Sequence, residues 1–114
     1  MGILGIIRSN LKLTVSPIDS GWIAYVEDHL DYIYENSIRY DLQPELMYRY
    51  KYNLRQFLKE HLMRHCDIEW IVLKINNIPS DLGFSEPRIL HVPTDKFIED
   101  LYSHYQTVTK NYNN

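Results

Sequence analysis

The stretch DIEWIVLKINNIPSDLGFSEPRILHVP, residues 67–93, decides the fold of this chain. Its first part carries apolar residues at helical spacing, which predicts a helix over about residues 67–76. Asp67 has the side chain of a helix N-cap, and Trp70 falls at the edge of the apolar face. The segment therefore starts with a short helix that buries one side.

The second part of the same stretch is closely punctuated by turn-forming residues. Asn77 suits the left-handed residue that ends a helix, and Pro79 forbids its continuation. Gly83 lies in a loop, and the apolar run 88–92 has the length of a strand that Pro93 stops. The pattern predicts helix, loop and strand, and its side chains suit a scaffold better than a reaction.

The segment before it, LMYRYKYNLRQFLKEHLMRH at residues 46–65, has two interpretations. Its tyrosines alternate with cations as in a half-buried strand, yet its apolar residues also fit one long helix. Asn53 is a good N-cap, with Gln56 three residues on as its capping-box partner. We therefore predict a strand over 47–52 and a helix over 54–65, while a single helix stays an alternative.

The flanking segments complete the predicted order of elements. Residues 1–16 alternate loosely and suit a strand or an extended arm. Ser16 and Pro17 predict the start of a helix that ends near Asn36, followed by a connector. Thr94 and Asp95 predict the start of a last helix, and residues 107–114 lose the pattern and are expected to fray. The expected divisions are 1–16 (arm), 17–46 (helix and connector), 47–93 (central domain) and 94–114 (last helix and tail).

Composition limits the class of protein. Hydrophobic residues make up 45% and charged residues 24% of the 114 residues, as in an ordinary globular domain. The net charge of −3 gives no sign of nucleic-acid binding. Cys66 is the single cysteine and forms no intrachain disulfide. Because the apolar start at residues 1–7 is too short to span a bilayer, we expect a soluble protein made in a cytoplasm.

The motifs that suggest chemistry are weak. His61 and His65 would share a helix face beside Cys66, but Leu62 stands where a metalloprotease has its glutamate. Two imidazoles near a helix C-terminus are adequately explained by the helix dipole. Three carboxylates in the first helix fit a solvated face; they are Asp28, Asp31 and Glu35. We expect no enzyme, no catalytic residues, no metal and no cofactor.

Tyrosine is the compositional exception, with ten among 114 residues. Tyrosine is enriched at protein interfaces, although a small core also uses it at its wet boundary. The alternating tyrosines and the apolar start are the candidate partner-binding residues, with a half-buried strand as the plainer explanation of the former. They are Ile3, Leu4, Ile6, Ile7, Tyr48, Tyr50 and Tyr52.

The predicted strand, two helices and strand over residues 47–93 make a βααβ unit that resembles a LysM domain. In that family the second helix ends in Asn and an apolar residue, and the last strand has the form Leu-x-Ile-Pro. Here Asn77-Ile78 and the run Leu90 to Pro93 stand at the matching places. Tyr52-Asn53-Leu54 replaces the usual Gly-Asp-Thr-Leu at the entrance of the domain. The resemblance implies an α+β fold and, as one alternative function, binding of cell-wall glycan (peptidoglycan).

A narrower likeness is carried by the string IEWIVLKINNIPSDL, residues 68–82. It is similar to the pattern YWVILLANNIxDPL of LysM-like baseplate wedge subunits in contractile-tailed bacteriophages. Ser80-Asp81 departs from the usual Asp-Pro. This resemblance implies a non-enzymatic structural protein of the virion, made in the host cytoplasm. It would be present in several copies and would bind neighbouring baseplate or tail subunits.

Overall fold

The computed structural model describes residues 19–113 and has a mixed α+β fold with one two-stranded antiparallel sheet. Its helices and strands run in the order α1 (Ser20–Asp28), α2 (Leu30–Glu35), β1 (Ile38–Leu42), α3 (Pro44–Arg49), α4 (Leu54–Gln56), α5 (Glu69–Ile75), β2 (Arg88–Val92) and α6 (Asp95–Asn113). A π-helical turn (Phe57–His61) continues α4, and 3₁₀ turns (Cys66–Ile68 and Asp81–Gly83) precede α5 and β2.

The first described helix, α1, begins at Ser20. Asp19 caps α1 by accepting a hydrogen bond from the backbone N–H of Trp22 at 3.1 Å. The predicted start at Ser16 and Pro17 lies outside the described residues. The helix is interrupted at His29 and resumes as α2. Asn36 is the C-cap of α2, at the predicted end of the helix.

The connector predicted after Asn36 is wrong in one respect, because it contains β1. This strand pairs antiparallel with β2, and Tyr40 lies opposite Leu90. The sequence Ile-Arg-Tyr-Asp-Leu has little strand preference of its own beyond its Ile and Tyr. Pairing with a strand 50 residues later is therefore what makes it a strand.

The predicted strand over 47–52 is also wrong, since most of it lies in α3 and the turn that follows. Pro44 occupies the first helical turn, where its missing N–H costs nothing. Met47 and Tyr50 are three residues apart and both buried. Helical spacing of these two residues therefore prevails over the alternating pattern of the tyrosines.

Asn53 is an N-cap as predicted, and its side chain accepts from the N–H of Gln56 at 3.2 Å. The Gln56 side chain, however, donates to Glu60 and makes no return bond to Asn53. The predicted helix over 54–65 ends early, because Met63 takes a left-handed φ of 58°. The N–H of the next residue, Arg64, bonds back to the carbonyl of Leu58 at 2.7 Å and closes the turn.

Helix α5 is preceded by a 3₁₀ turn, so that Ile68 takes the N-cap position expected for Asp67. Its other end is a Schellman motif. Asn77 has φ 57°, which confirms the predicted left-handed stop. The N–H of Ile78 bonds to the carbonyl of Leu73 at 2.9 Å, and that of Asn77 bonds to Lys74 at 3.2 Å.

Strand β2 has the predicted bounds and is attached to α5 by one buried side chain. Asn76 is 7% exposed, and its amide bonds to both backbone groups of His91 and to the carbonyl of Val72. Thr94 caps α6 through the N–H of Phe97 at 3.1 Å, as expected from the sequence. The expected fraying over 107–114 is wrong for the described part, since α6 continues to its end at residue 113.

The core fills the space between the sheet, α5 and the surrounding helices. Helix α1 contacts α6, α2 contacts α5, and α5 contacts β2. Trp22 is 1% exposed and meets Tyr102 of α6 edge to face at 5.0 Å. The other large, fully buried side chains are Phe57, Phe84, Ile33, Leu42, Met47, Leu54, Leu58, Ile68, Ile71 and Leu90.

Candidate docking surface

The predicted partner-binding residues differ in whether the structure describes them and in how exposed they are. Ile3, Leu4, Ile6 and Ile7 lie outside the described residues. Of the three tyrosines, Tyr48 is 82% exposed and Tyr52 is 50% exposed, while Tyr50 is buried at 7%. The Tyr50 ring meets Phe57 edge to face at 5.4 Å. Its burial in the core leaves the other two tyrosines as the accessible pair.

Tyr52 is held in an unusual backbone conformation. Its φ is 64°, in the left-handed region that side chains other than Asn and Asp rarely adopt. Its N–H donates to the carbonyl of Phe84 at 2.8 Å, so the turn is attached to the loop before β2. The ammonium of Lys51 lies 5.1 Å from the centre of the Tyr52 ring. The structure thus presents this ring at the surface with a cation over its face.

A larger aromatic surface lies between the first two helices and α6. We call it the aromatic groove; its volume is about 570 Å³, and its lining is Tyr25, His29, Tyr32, Phe97, Asp100, Leu101 and His104. One wall, from α1 and α2, has side chains spaced by four and then three residues (25, 29 and 32). The other wall, from α6, has side chains at positions 97, 100, 101 and 104. Spacing of this kind brings side chains to one face of each helix.

Hydrogen bonds hold the polar side chains of the aromatic groove in place. The hydroxyl of Tyr25 shares a hydrogen bond of 2.6 Å with Nδ1 of His104, and thereby joins α1 to α6. Nδ1 of His29 lies 2.6 Å from the carbonyl oxygen of Tyr25 and donates to it. Burial, and secondarily the neighbouring Tyr32, raises the pKa of Tyr25. Its phenol is therefore neutral at pH 7 and acts as a hydrogen-bonding group.

The ring faces of the aromatic groove are paired across short distances. Tyr25 and His29 have ring centres 4.2 Å apart, and Tyr32 meets Phe97 at 5.5 Å. Tyr32 is still 52% exposed and offers part of its ring to solvent. Aromatic side chains with a fixed position and a free face are typical anchors of protein interfaces.

Sequence reasoning missed this groove, although one signal was present. Tyr25, His29 and Tyr32 are spaced as one helix face, beside the buried stripe of Trp22 and Val26. The spacing marks a second face of α1 and α2 that is neither fully apolar nor charged. What the spacing does not reveal is that α6 supplies the other wall.

A second groove of about 580 Å³ lies beside Trp70, which the sequence placed at the edge of its helix. Trp70 is half-buried, as expected for such an edge. The remaining lining comes from α2, α5 and the Schellman turn, and consists of Leu30, Leu73, Lys74, Asn77, Ile78 and Pro79. Its surface is mainly apolar, with one cation and one amide.

Residues weighed for chemistry do not converge. His61 ends the π-helical turn, and the left-handed Met63 separates it from His65, so the two do not share a helix face. Among the side chains that the structure describes, no group of three or more His, Cys, Asp or Glu could hold a metal ion. Asp28, Asp31 and Glu35 are all exposed, which confirms their place on the wet side of the first helices.

One pair of carboxyl groups is unusual. Glu69 Oε2 and Asp81 Oδ1 are buried, and neither accepts a hydrogen bond from a donor in residues 19–113. Burial, and then a hydrogen bond and charge repulsion from Asp81, raises the pKa of Glu69 to about 7, although Arg55 at 3.9 Å opposes the shift. A proton on Glu69 lets the two groups bond to each other. Such a bond would join the start of α5 to the loop before β2.

Comparisons of the chain with protein-family models, with curated proteins and with solved structures gave no match. Within residues 19–113, no helix has the length and apolar character needed to cross a membrane.

Proposed function

We propose that this protein is a non-enzymatic structural component of a phage virion, a tail baseplate wedge protein that binds neighbouring subunits. The observation that carries the proposal is the order β1, α3, α4, α5 and β2, with the two strands paired antiparallel. Three helices lie between the two strands, one more than in the predicted βααβ unit, and we propose that the unit is LysM-like with α3 as an additional helix. Its first strand is 38–42, in place of the predicted strand over 47–52.

The residues that carry the sequence resemblance have structural roles in this unit. Asn76 attaches the end of α5 to β2, and Asn77 forms the left-handed turn between them. Pro93 is buried directly after β2, and its carbonyl oxygen accepts from Nε of Arg64 at 3.1 Å. The pair Asn76-Asn77 and the proline after β2 are therefore explained by folding, which supports a scaffold.

The aromatic groove supports the docking part of the proposal. Interfaces owe most of their binding energy to a few aromatic or long side chains in desolvated pockets. Tyr32 and Phe97 offer such a pocket for an apolar side chain of a neighbouring subunit, and Asp100 and His104 give it a polar rim. We propose that a baseplate subunit fills this groove.

The test is incorporation into phage tails. Tails are purified from a phage that carries the gene for this chain, and its copies per tail are counted by quantitative mass spectrometry. A second strain carries Tyr32→Ala, and a third carries Tyr34→Ala. Tyr34 is a matched control, because it is 42% exposed and its ring centre lies 4.1 Å from that of His91, outside the groove.

We expect a fixed number of copies per tail in the wild type, a clear loss with Tyr32→Ala and no loss with Tyr34→Ala. Absence of the chain from purified tails would overturn the virion proposal. Equal incorporation of all three chains would leave the virion proposal standing but would remove the aromatic groove from it.

The second candidate function is glycan binding, and the groove beside Trp70 favours it. A half-buried indole next to Lys74 and Asn77 has the chemistry of a sugar site, namely a flat apolar surface and hydrogen-bond donors. Purified chain and the variant Trp70→Ala are incubated with insoluble peptidoglycan and sedimented. Retention of the wild type that the variant loses supports this function, and no retention of either chain excludes it.

A further inference from the structure

The two edges of the two-stranded sheet are treated differently. Along β2, the side-chain amide of Asn76 occupies the edge, since its oxygen accepts from the N–H of His91 at 2.9 Å. Its nitrogen donates to the carbonyl of His91 at 2.8 Å. The amide thus makes the two bonds that a neighbouring strand would make there. At His91, the β2 edge is therefore protected against pairing with another chain.

The edge of β1 has the opposite character. Arg39 of β1 lies opposite His91 of β2. Because the backbone groups of His91 point to Asn76, Arg39 and His91 are a pair without backbone hydrogen bonds between them. The N–H and C=O of Arg39 therefore point away from β2, and those of Asp41, two residues on, do the same. In residues 19–113 no hydrogen bond reaches these four groups. Both side chains are exposed.

The charges along this edge are complementary to a second copy of the same edge. If two β1 strands run antiparallel with Tyr40 at the centre, Arg39 of each copy lies opposite Asp41 of the other. These residues are the ones with outward backbone groups, so the register forms four backbone hydrogen bonds and two opposite-charge pairs. Ile38, which is 43% exposed, is brought next to Leu42 of the second copy.

Other registers of the same pairing are unfavourable. Hydrogen bonding permits shifts of two residues, because outward groups must meet outward groups. One such shift places Arg39 opposite Arg39, and the other places Asp41 opposite Asp41. Like charges directly opposite each other destabilise a strand pair. The charge pattern therefore selects one symmetric arrangement.

We propose that two copies of this chain associate through the edges of β1, in antiparallel register about Tyr40, to form a continuous four-stranded sheet. The association is isologous, as twofold dimers require, and it closes with two copies. It does not depend on the proposed function.

Charge reversal tests the register directly. Sedimentation equilibrium of the full chain from about 10 µM to about 1 mM gives the dissociation constant of the dimer. Arg39→Asp and Asp41→Arg each place two like-charge pairs in the interface, and we expect each to weaken the dimer about tenfold or more. The double variant R39D/D41R restores opposite charges, and we expect a constant within about threefold of the wild type.

The matched controls carry the same changes of charge elsewhere. Lys96→Asp and Asp28→Lys reverse the charge of exposed side chains on α6 and α1, outside β1 and outside the two grooves. We expect these variants to dimerise as the wild type does. A monomeric wild type at the highest concentration would overturn the proposal, and so would a dimer that is equally weakened by the controls or not rescued in the double variant.

Hydrogen exchange of the backbone amides tests the same interface in the wild-type chain, without any substitution. We expect the N–H groups of Arg39 and Asp41 to become protected as the concentration rises. Tyr40 should be protected at all concentrations, because it pairs with Leu90 within one copy. The backbone N–H of Ile89 also points away from the partner strand, but at the β2 edge. Its exchange rate should therefore not depend on concentration. Exchange of Arg39 and Asp41 that is independent of concentration would overturn the proposal.

Discussion

Helix α5 is attached at both ends to the chain that follows it, and the two attachments use different chemistry. At its C-terminal end, Asn76 makes three side-chain hydrogen bonds, and its own carbonyl accepts from Arg88. At its N-terminal end, Glu69 lies near Asp81, and each side chain has one buried carboxyl oxygen that no hydrogen-bond donor in residues 19–113 reaches. A neutral amide both donates and accepts at any pH, whereas two carboxyl groups need a proton to bond.

The difference teaches where the fold is invariant and where it responds to conditions. The amide end fixes β2 against α5, and the sheet depends on it. The carboxyl end holds only the loop before β2, so its loosening leaves the sheet intact. Four changes separate these two roles, in order of decreasing effect.

The largest effect is expected for Asn76→Asp. The new carboxylate still accepts from the N–H of His91, but it faces the carbonyl oxygens of Val72 and His91 without a proton to donate. Because the site is buried, we expect a loss of about 3 kcal/mol in the free energy of unfolding. Urea unfolding followed by circular dichroism measures it. Asn77→Asp is the control, an identical change at an exposed neighbour, and should cost less than about 0.5 kcal/mol. Equal losses would show that the amide contacts are unimportant.

These two asparagines also show what the sequence could reveal. The stop at Asn77 and the strand after it were predicted correctly, because helix ends and prolines act through local geometry. The strand β1 was missed, since Ile38–Leu42 becomes a strand through a partner 50 residues away. The wrong strand over 47–52 arose because three tyrosines alternate with cations, while packing used the helical spacing of Met47 and Tyr50.

The candidate sites were less predictable than the fold, for a related reason. The aromatic groove and the pair of Glu69 with Asp81 each join residues from separate elements, and their distances depend on tertiary packing. The excess of tyrosine, a residue type common at interfaces, pointed to exposed rings such as Tyr48 and Tyr52. The burial of Tyr50 between them depends on α3, a helix that was not predicted.

The second effect concerns pH at the carboxyl end. The pKa of Glu69 is raised from 4.5 to about 7 in the folded state, so the folded protein holds this proton more tightly than the unfolded chain. The stabilisation is fully present below the unfolded value and is lost as the pH rises through the folded one. Since the Glu69 side chain is 18% exposed, solvent screening reduces the effect to about 1–2 kcal/mol between about pH 5 and about pH 8.

The variant Glu69→Gln isolates this contribution, since its amide donates to Asp81 at any pH. Urea unfolding across the same pH range should show that the wild type loses more stability than the variant as the pH rises. The difference between the two curves removes the contribution of the histidines, which both chains share. Parallel curves would contradict a proton shared between Glu69 and Asp81.

The third effect is a small gain at the amide end. Asn77 has φ 57°, a conformation that glycine adopts without steric cost, and the two backbone bonds of the Schellman motif do not use its side chain. Asn77→Gly should stabilise the fold by roughly 0.5 kcal/mol, because the gain in the folded state is partly offset by the greater freedom of the unfolded chain. Thermal unfolding measures it, and a lower midpoint would mean that the Asn77 side chain has a role of its own.

The smallest effect returns to the carboxyl end and tests its electrostatics. Arg55 lies 3.9 Å from Glu69 and lowers its pKa, against the effects of burial and of Asp81. The Arg55 side chain is 58% exposed, so solvent screens most of this interaction. Arg55→Met should therefore raise the pKa of Glu69 further and move the loss of stability to higher pH. Titration of the Glu69 carboxyl group by NMR measures the change, and Arg49→Met, an exposed arginine in α3, is the control. A fall in the pKa of Glu69 would contradict this prediction. It would mean that the Arg55 guanidinium favours the protonated form of Glu69 and not the carboxylate.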